Sequence, residues 1–63
     1  MGRYKIDSHL VPSDWEDYVV SYYIPEGNHM VPCVSMIEND GEVFFAEIPD
    51  NADMNTLVLK VYD

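Results

Sequence analysis

The sequence is poor in positive charge, in cysteine and in glycine. It has three basic residues against twelve acidic ones, one cysteine and three glycines. A single cysteine, Cys33, excludes an intramolecular disulfide and suits a reducing compartment, so the cytoplasm is the expected location. No Cys/His set has zinc spacing. No apolar run approaches the roughly 20 residues of a membrane-spanning helix. Met1-Gly2-Arg3-Tyr4-Lys5-Ile6 lacks the apolar stretch of a secretory leader, and Ile6 stands where a myristoylation signal has Ser or Thr. A soluble, non-secreted protein is expected, with no membrane contact, no metal and no cofactor.

The scarcity of positive charge is the strongest anomaly. The formal net charge is -9, and the three basic residues are Arg3, Lys5 and Lys60. Between Ile6 and Leu59 there is no Lys or Arg. Affinity for nucleic acid comes largely from Lys and Arg, so direct nucleic-acid binding is disfavoured. Stacking of bases on Tyr or Phe would also need a positive groove that this chain lacks.

What the chain does have is apolar material. Hydrophobic residues make up 48%, with five Tyr, two Phe and one Trp. That composition supports a packed core and argues against disorder. Residues 1–63 make one small domain. A chain this short buries only about 60% of its unfolded surface and commonly needs a staple. With no disulfide or metal to serve, oligomerisation remains, and a homodimer is expected.

Two turn signals organise the chain. Pro25-Glu26-Gly27-Asn28 puts Pro and Gly where a turn wants them. Asn39-Asp40-Gly41 is a tight hairpin signal, either type I′ or type I with a G1 bulge. The β-branched and aromatic segments between predict strands at about 17–24, 29–37, 42–48 and 56–62, with a shorter first strand at 3–7 and a loop at 49–55. The fold class is mainly β: a four- to five-stranded antiparallel meander or partly open barrel.

Residues 13–23 carry a conflict. Ser13-Asp14-Trp15-Glu16 fits a capping box, and Trp15, Tyr18, Val19, Tyr22 and Tyr23 recur at helical spacing. The composition of Tyr18–Ile24 is that of a strand. One reading is a strand from about residue 17 after a single helical turn at 13–16. The other is a helix through residue 23, which would make the fold α+β.

With Asp40-Gly41 as the two loop residues, Ile37 faces Phe44, Ser35 faces Ala46 and Cys33 faces Ile48. The other face then carries Val34, Met36, Val43, Phe45 and Glu47. Both faces are partly apolar, whereas a lone antiparallel sheet normally has one wet face. The sheet must be covered twice, by barrel closure, by residues 10–24 or by a second subunit. Pro32 prefers an edge or a bulge.

Catalytic chemistry finds no foothold. His29 and Cys33 share a strand face but stand about 13 Å apart along it, beyond the reach of a nucleophile–base pair. Asp7-x-His9 and Asp50-x-x-Asp53 fall short of the ligand count of a metal site. A carboxylate pair for hydrolysis needs a substrate cleft that so short a chain has little room to build. The chain is not expected to be an enzyme.

The acids remain to be explained. The stretch 37–50, IENDGEVFFAEIPD, holds five acidic residues and no basic one. Carboxylates on adjacent strands recur at about 4.8 to 6.8 Å, comparable to phosphate spacing along nucleic acid. Asp14, Glu16, Asp17, Glu26, Glu38, Asp40, Glu42, Glu47, Asp50 and Asp53 are the candidate contacts, with Phe44, Phe45, Trp15 or Tyr23 as apolar anchors. In size, acidity and its hairpin with flanking acids the chain resembles small phage-encoded inhibitors of host DNA-handling enzymes: anti-glycosylase, anti-restriction and anti-CRISPR proteins. The resemblance implies an inhibitor that mimics DNA, acts in the host cytoplasm and binds a basic, nucleic-acid-binding protein. The alternative is a structural or assembly module that associates through an apolar sheet face or edge, sensitive to Phe45 or Met36, with the charge serving solubility.

Overall fold

A computed structural model describes residues 2–62. Among them are six strands: β1 (Gly2–Ile6), β2 (Tyr18–Glu26), β3 (His29–Met36), β4 (Glu38–Asp40), β5 (Val43–Ile48) and β6 (Asp53–Val61). They form two three-stranded antiparallel sheets, ordered β1-β5-β4 and β3-β2-β6. The mainly-β expectation holds, but the strands fall into two small sheets rather than one meander, and no barrel closes.

One residue carries the chain directly from the β3-β2-β6 sheet into the β1-β5-β4 sheet. Ile37 alone separates β3 from β4, and its side chain is buried with Ile6, Val20 and Ala46. The expected strand 29–37 therefore bends at its end and continues as β4 in the other sheet. At the opposite side β1 and β6 do not pair. An apolar cleft of about 190 Å³ lies there, lined in part by Tyr4, Ile6, Leu57 and Leu59.

Period-two alternation explains which residues face inward. Val20 and Tyr22 of β2, Ala46 and Ile48 of β5 and Ile6 of β1 are all buried, and Tyr4, Phe44, Leu57 and Leu59 pack against them. Seven buried hydrophobic residues, Ile37 and Ala52 among them, form this core, and none of the large ones is completely enclosed; Val19, also buried, lies on the other face of β2 between Met36 and Lys60.

Both hairpins have two-residue loops that begin with glycine. Glu26 pairs with His29 around Gly27-Asn28, and Asp40 pairs with Val43 around Gly41-Glu42. Gly27 and Gly41 have φ of 60° and 68°, while no other described residue has positive φ. Positive φ at the first loop position alone is the signature of a type II′ turn, whose twist suits a hairpin. The second hairpin is thus neither type I′ nor a bulged type I turn around Asp40-Gly41. Asn39 rather than Ile37 faces Phe44, and the expected pairs Ser35–Ala46 and Cys33–Ile48 do not form, because Ser35 and Cys33 pair with Val20 and Tyr22. The register moves by two residues, so each side chain keeps the face assigned from the sequence.

The conflict at 13–23 resolves toward the strand. A single 3₁₀ turn covers Trp15–Asp17 and β2 starts at Tyr18. Asp14 caps that turn without a side-chain hydrogen bond, so the Ser13/Glu16 capping box does not form. Strand pairing of β2 on both sides, with β3 and β6, outweighs the helical spacing of the aromatics. β6 begins earlier than expected, at Asp53, and is irregular there. Tyr23 N–H donates to Thr56 Oγ1 at 3.1 Å, Thr56 Oγ1 donates to Asp53 O at 2.7 Å, and Asn55 N–H donates to Asp53 Oδ1 at 3.0 Å. These bonds replace the ladder across the irregularity.

The same bond explains the prolines. Since Tyr23 N–H points toward β6, the Tyr23–Pro32 pair exchanges no ladder bonds, and neither does Pro25–Met30 two residues on. Pro32 lies on the edge strand of its sheet, where the missing N–H costs nothing.

Ile37→Ala is expected to lower stability by about 2–4 kcal/mol, a large share of the roughly 3–9 kcal/mol of a chain this size. Urea unfolding followed by circular dichroism checks this; a loss below about 0.5 kcal/mol would show that another contact holds the bend.

Candidate functional site

Two surfaces differ sharply in chemistry, and the bent strand joins them. The outward residues of β3 and β4 are, in order, Met30, Pro32, Val34, Met36, Glu38 and Asp40. They are apolar up to the bend at Ile37 and acidic after it.

The outer face of the β1-β5-β4 sheet carries Glu38, Asp40 and Glu47 among the candidate acids, with Val43 and Phe45 between them. It also carries Arg3 and Lys5, which the β1–β5 ladder sets opposite Glu47 and Phe45. Arg3 reaches across β5: its guanidinium lies 4.1 Å from the centre of the Phe45 ring and its Nη2 is 3.5 Å from Glu38 Oε2. The basic-free run of the sequence thus does not become a basic-free face. Two of the chain's three cations sit among the hairpin acids.

Phe44 turns the other way. It packs on the core and meets Trp15 edge-to-face, ring centres 5.5 Å apart at 66°. Of the four aromatic anchors considered, Phe45 and Tyr23 lie on outward faces.

The remaining acids are scattered. Asp14, Glu16 and Asp17 lie at the 3₁₀ turn before β2, Glu26 ends β2, Glu42 is in the β4–β5 loop, Asp50 is in the loop before β6, and Asp53 starts β6. Apart from half-buried Asp53 they are exposed. Among the described residues the ion pairs are Arg3–Glu38 and His9–Asp7. Nine of the ten candidate acids therefore have no cationic partner among the described residues.

The outer face of the β3-β2-β6 sheet was not singled out beyond Val34 and Met36. Ladder pairs place Pro25 with Met30, Tyr23 with Pro32, Ser21 with Val34, and Val19 with Met36 on this face. β6 adds Val58 opposite Ser21 and Lys60 opposite Val19. Val34 is 66% exposed, Met36 54%, Val58 51%, Met30 43% and Tyr23 42%. Lys60 and Asp53, both on β6, are the charged side chains at its margin. The sequence signal was present: residues 30, 32, 34 and 36 are all apolar at period two.

Chemical sites are not assembled. A groove of about 520 Å³ is lined by Lys5, Ile6, Asp7, Ser8, Glu42 and Val43, with no histidine or thiol. His9 Nδ1 lies 2.7 Å from Asp7 Oδ1, and both side chains are well exposed. No hydroxyl or thiol completes a nucleophilic set with His9 among the described hydrogen bonds. Cys33 faces inward beside its ladder partner Tyr22, and its Sγ–H donates to Val31 O at 3.7 Å. Burial pushes the Tyr22 phenol up, and Cys33 adds to that shift. No group of three or more His, Cys, Asp or Glu gathers among the described residues. No described helix is long and apolar enough to cross a membrane. No family model, curated protein or solved structure matches the chain.

Arg3→Ala removes the cation from Phe45 and Glu38, and the expected loss is about 1 kcal/mol, since both contacts are exposed. Thermal unfolding at low and at high salt checks it. A loss above about 3 kcal/mol would mean that the N-terminal strand depends on this contact.

Proposed function

We propose that this chain is a non-catalytic interaction module that docks through the outer face of its β3-β2-β6 sheet. One observation carries the reading. In a chain of net charge -9, the row Met30, Pro32, Val34, Met36 with Tyr23 and Val58 beside it bears no charge. Single exposed apolar residues are ordinary, but a contiguous patch of them marks an association site. Exposed Met adds a side chain that fits varied surfaces. The acids around this face keep other contacts from forming and leave it the favoured route of approach.

A second reading has its own support. The nine exposed or half-exposed acids that have no cationic partner among the described residues can meet the Lys and Arg of a basic, nucleic-acid-binding protein and inhibit it by imitating DNA. Its weaker point is the hairpin itself, where Arg3 and Lys5 offset part of the charge.

Salt and substitution separate the two. Docking through the apolar face is expected to survive about 1 M salt and to weaken at least tenfold in Met36→Asp, measured by affinity capture and quantitative elution. Asp14→Lys with Asp17→Lys is expected to leave it unchanged. Elution at moderate salt, abolished by the Lys variants and indifferent to Met36→Asp, would overturn this reading in favour of nucleic-acid mimicry.

A further inference from the structure

Resting on that reading, we infer that the occupant of the apolar face is a second copy of this chain, turned over by a two-fold axis that crosses the strands at the Val34–Ser21–Val58 row. Three observations carry it.

The first is charge complementarity along β6. Lys60 stands opposite Val19, two residues to one side of Ser21, and Asp53 stands opposite Tyr23, two residues to the other side. Each is about 7 Å from the central row along the strand direction. A two-fold through that row, perpendicular to the strands, reverses the copy end for end. It therefore lays Lys60 of each chain over Asp53 of the other, twice per dimer. Lys60 is the one basic residue not already engaged on the hairpin face.

The second is surplus surface. A folded chain of 7.3 kDa is expected to expose about 4,200 Å² with a radius of gyration near 10.6 Å. This one exposes 4564 Å² with a radius of 11.8 Å. Its extents of 38 × 24 × 15 Å leave it thin in one direction. Stacking the two copies at about 10 Å adds an apolar seam between the chains to the one inside each.

The third concerns two competing routes of self-association. Edge-to-edge pairing along β3 lacks a donor at Pro32. The other outward sheet face sets three acids, Glu38, Asp40 and Glu47, against two cations, of which Arg3 is already engaged by Glu38 and Phe45. The apolar face, roughly 26 Å by 14 Å from its strand lengths and spacing, falls below the size of stable specific interfaces, so the pair is weak and reversible.

Sedimentation equilibrium of the full chain, from micromolar to millimolar concentration, tests this. The mass is expected to rise from one chain toward two. Val34→Asp, at an exposed position, is expected to weaken the dimer at least a hundredfold. Lys60→Glu should weaken it about tenfold, and adding Asp53→Lys to Lys60→Glu should recover most of that loss. A one-chain mass at every concentration overturns the pairing, and so does a dimer indifferent to Val34→Asp and Lys60→Glu. If the protein is monomeric but its capture of other proteins still depends on Met36, the docking face stands and the second copy does not. If capture also ignores Met36→Asp, both fall.

Discussion

The burial of Ile37 is the constraint on which the rest depends. Its side chain belongs to the core with Ile6, Val20 and Ala46, so one continuous strand has to turn there and serve two sheets. That turn keeps inward and outward residues in phase from β3 into β4. The outward row therefore reads apolar, apolar, apolar, apolar, acidic, acidic from Met30 to Asp40. Chemistry that alternates along a strand is separated by the bend into two surfaces that face different ways. A mainly apolar association face and a charged face follow from one buried methyl-rich side chain and a period of two.

The charge distribution changes meaning in three dimensions. The sequence shows acids in the middle and bases at the ends. Folding carries the N-terminal bases onto the hairpin, because β1 pairs with β5 rather than with its sequence neighbour. Arg3 then stacks on Phe45 and approaches Glu38, which reduces repulsion where strands hold acids nearest to each other. Acids at turns and loops are solvated and need no such partner. This division lets a small core of seven buried residues tolerate a net charge of -9 without burying any of it.

Much of this was legible in the residues, and what was not has identifiable causes. The main strand locations, both hairpin loops to within a residue or two, and the faces of residues 33–37 and 43–48 follow from alternation and glycine placement. The register of the second hairpin did not, because Asn39-Asp40-Gly41 satisfies several turn types and only the position of Gly41 in the fold chooses among them. The bend at Ile37 carries no glycine or proline to mark it; tertiary burial makes it. Trp15, Tyr18 and Tyr22 share both a helical spacing and a strand composition, and pairing with β3 and β6 decided between them. The neutralisation of hairpin acids was hidden because long-range pairing, not spacing, brings Arg3 beside Glu38. The apolar row of β3 is legible as apolar residues at 30, 32, 34 and 36; its neighbours on β2 and β6 are not, because they come from long-range pairing.

Methyl and amide chemical shifts, followed by NMR from dilute to concentrated solution, test most directly the claim that this protein associates through the uncharged side of its bent strand. The account predicts concentration-dependent shifts confined to Tyr23, Met30, Val34, Met36 and Val58, with Val43, Glu47 and the 3₁₀ turn at Trp15–Asp17 unmoved. Shifts centred on the hairpin acids or on that turn, with Val34 and Met36 silent, would contradict it.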